Sequence, residues 1–205
     1  MSIYWLADII MGKYLDNLGL RFICVSRQFI IYYNLWGLTN EEVSMYELYI
    51  KQKVFKITDH YDVMDANQNP VYHVDQDFRL IGNTVHVSRM DGSEAFVINR
   101  EVLTIMPKYT VDFSNGKTAH IKQNFTFFKK SIDIFSDDYS LRLEGSFWDM
   151  DFGVFNNGTE VGNISKQFLS WGDTYVIRVF DAEFEEALIA LLIAVDNIKD
   201  GEENH

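Results

Sequence analysis

A chain of 205 residues with 47% hydrophobic and 15% aromatic content suits one globular domain with a large core, or one domain plus an appendage, and excludes a disordered chain. Its formal net charge of −12 argues against nucleic acid, because phosphate binding wants clustered Lys and Arg, and equally against a generally basic membrane-binding face. A single cysteine, Cys24, excludes an internal disulfide framework and any cysteine metal site.

Residues 1–44 read unlike the rest. They mix Trp5, Phe22, Phe29, Tyr32, Tyr33 and Trp36 with no clean strand alternation and no turn signals. Residues 2–18 are consistent with a weakly amphipathic helix carrying Ile3, Leu6, Ile10 and Tyr14 near one face. A membrane anchor is the lesser reading, since the apolar stretch Phe22 to Leu38 is interrupted by Arg27 and is short for a span. Glu41-Glu42-Val43 can be encoded by GAGGAGGTN, a purine-rich bacterial ribosome-binding sequence, just upstream of the codon for Met45. The expectation is that Met45 is the natural start and that 1–44 is translated leader. Full-abundance native peptides from 1–44 would refute it by mass spectrometry. No secretory signal is visible, so a cytoplasmic protein is expected.

From Met45 to Asp181 the sequence repeats six times, at a period of 21 to 24 residues. Each unit has an apolar anchor, at Phe55, Phe78, Val102, Phe125, Phe147 and Phe168. Turn signals follow the first five: Asn67-Gln68-Asn69-Pro70, Asp91-Gly92, Asn115-Gly116, Asp137-Asp138 and Asn157-Gly158. Asn-Gly and Asp-Gly favour type I′ turns, which need positive φ at both central residues. A weaker set falls near each anchor, at Thr58-Asp59, Gly82-Asn83, Pro107-Lys108, Lys129-Lys130, Asp149 to Asp151 and Gly172-Asp173. Cutting at both sets predicts twelve strands in an antiparallel meander. Val85-His86-Val87 and Ile132-Asp133-Ile134 show the alternation of half-buried strands.

The last element is different. Ala187 to Val195 is nine apolar residues in a row, Asp181 is a good N-cap, and Glu183, Glu185 and Glu186 suit the positive end of a helix dipole. Apolar residues on every side predict a helix over 182–198 that is buried all round. Six acidic-tail residues, 200–205, follow. The apolar run is about half of the ~20 residues needed to cross a bilayer, so no transmembrane span is expected in 45–205. Twelve strands closing into a barrel remove exposed edges but leave a hole wider than side chains alone can fill. A helix is roughly 10–12 Å across with its side chains. The expected fold is therefore mainly β: a twelve-stranded closed antiparallel barrel enclosing its own C-terminal helix.

The stretches YIKQKVFKITDHYDVMDANQNPVYHV (49–74), FVINREVLTIMPKYTV (96–111), IKQNFTFFKKSIDI (121–134), GSFWDMDFGVF (145–155) and ISKQFLSWGDTYVI (164–177), with ALIALLIAVDNI (187–198), carry a resemblance. The chain from about Met45 to Lys199 resembles the bacterial members of the LURP-one-related family, within the Tubby C-terminal-like superfamily. The resemblance implies a twelve-stranded barrel around a central hydrophobic helix. It implies less about function: Tubby domains bind phosphoinositides and phospholipid scramblases act at membranes with calcium. The scramblases' cysteine-rich palmitoylation stretch is not present here.

Chemistry is sparse. Lys108, Lys117, Lys122, Lys129 and Lys130, with His120, face one acid, Asp112. This local excess sits in a body with 15 Lys and Arg against 26 Asp and Glu after residue 44. One reading is an anion or lipid-phosphate site, with Lys129 and Lys130 in a turn and best able to reach a partner. The other is that outward lysines keep strands soluble. His60, His73 and His86 are spaced by thirteen, but alternating strands are expected to scatter them over neighbours, so no metal site is read. Asp65 to Asn69 resembles the opening of a calcium loop, yet has Pro70 where glycine and Gln76 where glutamate belong, and reads as a turn. Phe147, Trp148, Phe168 and Trp171 are expected to pack around the helix, with an exposed Trp148 or Trp171 beside a pocket mouth as the functional alternative. There is no nucleophile elbow, phosphate-binding glycine loop or His-Glu-x-x-His, so no catalytic residue and no cofactor is assigned. The expectation is a non-enzymatic barrel binding a small ligand, a protein or an anionic lipid on its surface or at a barrel mouth. The alternative is a membrane-associated lipid-binding or scramblase-like protein.

Overall fold

The computed structural model describes residues 20–25, 28–33, 45–51, 60–77, 83–102, 104–126, 129–146, 149–170 and 172–203. The chain divides into two compact units, Met1–Glu42 and Val43–His205. Within the first, β1 (Leu20–Val25) pairs antiparallel with β2 (Gln28–Tyr33), with Val25 opposite Gln28. The sequence reading assigns no element to these residues. LRFICV and QFIIYY are rich in aromatic and branched residues on both faces, so they favour strands without showing alternation. The helix expected over 2–18 lies outside the described residues.

The second unit is a closed barrel of twelve antiparallel strands. These are β3 (Tyr46–Lys51), β4 (His60–Met64), β5 (Pro70–Asp77), β6 (Thr84–Arg89), β7 (Glu94–Arg100) and β8 (Lys108–Phe113). They continue as β9 (Thr118–Thr126), β10 (Lys129–Ser136), β11 (Ser140–Ser146), β12 (Asp151–Asn156), β13 (Thr159–Leu169) and β14 (Gly172–Val179). Each pairs with the next, and β14 closes on β3, where Thr174 stands opposite Lys51 and Val179 opposite Tyr46. The expected meander is the observed one.

The five strong turn signals all lie at one end of the barrel, but only Asn157-Gly158 has positive φ at both residues, at 50° and 84°. At Asp91-Gly92 and Asn115-Gly116 only the glycine is left-handed, at 82° each. There the Gly92 N–H donates to the Arg89 carbonyl and the Arg89 N–H to the Ser93 carbonyl. That is a three-residue loop closing on a left-handed glycine, not type I′. The Asp91 and Asn115 side chains accept from the Ser93 and Lys117 N–H groups, which favours this geometry. Asp65 does the same work for Asn67 and Asn69, so the calcium-like stretch is a turn.

A 3-10 turn (Ala182–Phe184) leads into α1 (Glu185–Glu203), with the Asp181 side chain accepting from the Glu183 N–H. The helix therefore runs beyond the expected Ile198, through much of the sequence read as an acidic tail. Its last turns are held by barrel side chains, described below. Ala187 to Val195 is buried throughout, at 6% exposure or less. Leu188 to Val195 packs against Leu48, Ile50, Val63, Val74, Val87, Phe96, Ile98, Val111 and Ile134 in one core. At Gly162 on β13 an added Cβ would collide with the Leu188 side chain and stand 2.7 Å from the Arg178 carbonyl oxygen, so the strand needs glycine to approach the helix this closely.

Strand alternation puts His60, Asp62, His73, Asp75, His86, Lys122 and Arg142 outward, between inward apolar residues. An apolar interior under a polar outer face reverses the pattern of a lipid-spanning barrel. Among the described residues no helix is long and apolar enough to cross a membrane.

Candidate functional site

The helix is polar at both ends, and the barrel answers it differently at each. At the end where α1 enters, the Tyr46 and Tyr72 hydroxyls donate to the two oxygens of Glu185, and Arg89 pairs with Glu186. Phe184 meets Tyr139 edge to face, with ring centroids 5.4 Å apart. That end is closed by its own contacts.

The opposite end, where α1 leaves the barrel, is the mouth. Three inward side chains hold the helix here: the Tyr175 hydroxyl donates to Asp196 at 2.6 Å, Gln76 Nε2 to Asn197 Oδ1 at 3.0 Å, and Gln123 Nε2 to Glu202 Oε1 at 2.9 Å. Gln76 and Gln123 are buried, which their amides tolerate only because each has found a partner. Beside them lies a cleft of about 360 Å³, lined by Arg100, Ile105, Met106, Gln123, Asn197 and Glu202, with Thr104, Pro107, Ile198 and Gly201 completing it.

Register explains why Arg100 belongs to this cleft. It stands directly opposite Tyr109, which is 1% exposed and points inward, and directly opposed residues share a face. Arg100 therefore projects into the mouth, and its N–H is fixed to the Asn83 carbonyl at 2.9 Å. The floor of the loop from Glu101 to Pro107 is pinned by Glu101 N–H to Lys108 O and Gln123 N–H to Pro107 O. Among the described residues no carboxylate pairs with the Arg100 guanidinium. Among the described residues the buried Asn197 Nδ2 finds no acceptor, and the buried Tyr109 hydroxyl finds no partner. Burial pushes the Tyr109 phenol up to about 12, against a smaller opposite pull from Arg100.

Of the five lysines, Lys117 lies at the other end of the barrel from Lys108, Lys122, Lys129 and Lys130. Lys108 and Lys122 stand opposite each other on β8 and β9, outward, just outside the mouth. Lys108 is held 2.7 Å from Glu101, whose carboxyl Lys108 draws below its ordinary value. Lys117 is at the other end of β9, ~17 Å away along the strand, and pairs with Asp138 at 2.8 Å. Lys129 and Lys130 are not in a turn: they begin β10, opposite Thr126 and Phe125.

The histidines are brought together more than expected. On adjacent strands β4, β5 and β6, His60 pairs with Asp75, His73 with Asp62 at 2.5 Å, and His86 with Glu94 at 3.6 Å. Asp75 stands opposite both His60 and His86. Thirteen residues is one strand, one turn and a return in this part of the meander, so the spacing puts them on one outer face. No group of three or more His, Cys, Asp and Glu among the described residues is arranged to hold a metal ion; each imidazole is turned to its own carboxylate.

The apolar anchors also differ from expectation. Val102 is 48% and Phe168 83% exposed, so Phe168 does not pack around the helix. Both lie at the rim of the mouth, where strands end and the inward alternation no longer applies. Ile105 is 99% exposed at the same rim. Phe147, Trp148 and Trp171 lie outside the described residues.

Comparison with known proteins covers the same unit. A family model described as LURP-one-related matches residues 46–196. The uncharacterized protein YxjI of Bacillus subtilis (strain 168) is 24% identical over 151 residues, spanning 74% of this chain and 91% of YxjI. The X-ray structure of a protein from Arabidopsis thaliana superposes with a TM-score of 0.52 at 15% identity, over 74% of this chain and 91% of that one. That likeness concerns the fold alone.

Proposed function

The chain belongs to the LURP-one-related family, and from that premise we propose that it is a non-enzymatic, cytoplasmic binding protein whose ligand sits in the mouth of the barrel. The observation that supports this reading is Arg100 lining the same cleft as Asn197, whose buried Nδ2 finds no acceptor among the described residues. An amide donor buried without an acceptor costs about 1–3 kcal/mol, and a guanidinium aimed into a cleft offers five N–H groups. A cleft of about 360 Å³ is within the range of small-molecule sites. Its lining side chains bring a guanidinium, two amides, the Thr104 hydroxyl, the Glu202 carboxylate and apolar surface, which we read as binding groups.

The test uses protein labelled at Ile and Met methyl groups and the low-molecular-mass extract of its own cell. Shifts confined to Ile105, Met106 and Ile198 are expected. Shifts confined to other methyls would move the site elsewhere, and none at all would count against small-ligand binding.

A second reading draws on the rim itself. Ile105 stands exposed three residues before the outward Lys108, which is opposite Lys122, while the exposed Phe168 is on the same rim four strands round from β9; exposed apolar groups and lysines at one rim suit an anionic lipid surface. Co-sedimentation with anionic vesicles, lost in the Lys122/Lys129/Lys130→Glu variant, is the expected result for that reading. Failure of the parent protein to bind ends it.

A further inference from the structure

We infer that the ligand of the mouth is a small organic monocarboxylate, its carboxylate meeting Arg100 and its apolar body lying against Ile105, Met106 and Ile198. The inference rests on the mouth being the binding site and adds the chemical class of what fills it.

Three features select that class. The unsatisfied polar groups are donors. Arg100 has no carboxylate partner among the described residues, and Asn197 Nδ2 is buried without an acceptor. The buried Tyr109 hydroxyl, opposite Arg100 in the β7–β8 register, is without a partner among the described residues and has a proton to donate. Asn197 Oδ1, the acceptor half of the same amide, is already taken by Gln76 at 3.0 Å. A ligand bringing acceptors gains here, and one bringing donors finds the amide's oxygen occupied.

The charge is limited to one. The mouth is the C-terminal end of α1, where the helix dipole is negative, and Glu202 lines the cleft with one oxygen held by Gln123 at 2.9 Å. A single carboxylate can form a bidentate pair with the guanidinium. A dianionic phosphate would meet the same guanidinium and pay for a second charge near Glu202 and the helix end.

The body is apolar and short. Ile105, Met106, Pro107 and Ile198 form the non-polar side of the cleft, and about 360 Å³ has no room for a long double-chain lipid. Ile105 at 99% exposure is the residue with most surface left to cover.

The experiment titrates the full-length methyl-labelled protein with octanoate, octanol, octylamine and octyl phosphate, four heads on one chain. The inference predicts that octanoate shifts the Ile105, Met106 and Ile198 methyls and binds about tenfold tighter than octanol, the worth of one charge-assisted contact. Arg100→Met should remove that advantage while leaving methyls outside the mouth unmoved. Glu202→Gln should tighten octanoate severalfold. If octanol, octylamine or octyl phosphate binds as tightly at the same methyls, the monocarboxylate is overturned and the mouth survives as a site. If none of the four moves those methyls, the mouth reading falls with it.

Discussion

The Tyr175 hydroxyl donates to the Asp196 carboxylate at 2.6 Å, both groups buried between β14 and the helix that fills the barrel. Tyr61, on β4, feels the same carboxylate, and its phenol is held well above the ordinary value by burial first and by Asp196 second. The contact fixes the rotation of α1 below its apolar stretch. Tyr175→Phe keeps the ring and removes a donor to a buried charge, which costs about 1–3 kcal/mol. Urea unfolding measures it, and a loss below about 0.5 kcal/mol, a third of the usual charged hydrogen bond, would show that Asp196 is satisfied without it.

The apolar stretch should behave as core, not as a tail. Leu191 is fully buried, so Leu191→Ala is expected to cost about 2–5 kcal/mol. Leu191→Asp buries an unpaired charge and should unfold the whole barrel. Circular dichroism and size-exclusion chromatography decide it; a soluble, folded Leu191→Asp protein would place the helix outside the barrel.

Gly162 sets how closely β13 approaches the helix. Gly162→Ala forces a methyl against Leu188 and the Arg178 carbonyl, an overpacking expected to cost about 1–3 kcal/mol. Because Leu188 is one of the two neighbours, Leu188→Ala in the same chain should cost less than the sum of the two single changes, as coupled sites do. Additive losses in thermal unfolding would mean that the backbone contact alone sets the cost.

Much of this fold could be read before any coordinates. Repeated turn signals and a run apolar on all sides, Ala187 to Val195, are local features, and local features give strands, turns and a buried helix. Side-chain direction at strand ends is not local. Arg100 looks like any charged residue ending a strand, and only its register with Tyr109 aims it into the mouth. Phe168 matched the repeat yet stands exposed, because period marks the place in the meander and not the face. Lys129-Lys130 falls just after the anchor Phe125, where the repeat places a turn, while the pairing of these lysines with Thr126 and Phe125 depends on the hairpin as a whole. The thirteen-residue spacing of His60, His73 and His86 was visible, and becomes a cluster only when β4, β5 and β6 are known to be neighbours.

Alkali should unfold the barrel through its tyrosines. Tyr46 and Tyr72 are raised above the ordinary phenol value of 10.0 by burial and then by their bonds to Glu185, and Tyr139 is raised to about 12, mainly by burial. A folded pKa above the unfolded one gives stability that is complete below the unfolded value and disappears as pH rises through the folded value. Stability is therefore expected to hold to about pH 10 and fall steeply from there through pH 12, with tyrosinate absorbance rising together with loss of structure. Tyrosines that titrate at their ordinary value in a folded protein would contradict their placement against the helix.

The central proposal is that the mouth holds a ligand through Arg100. Native mass spectrometry of the protein purified from its own cell, beside the Arg100→Met variant, tests it most directly. The expected result is a small bound mass on the parent protein that is absent from the variant. The same mass retained on Arg100→Met, or no bound mass on either, would contradict it.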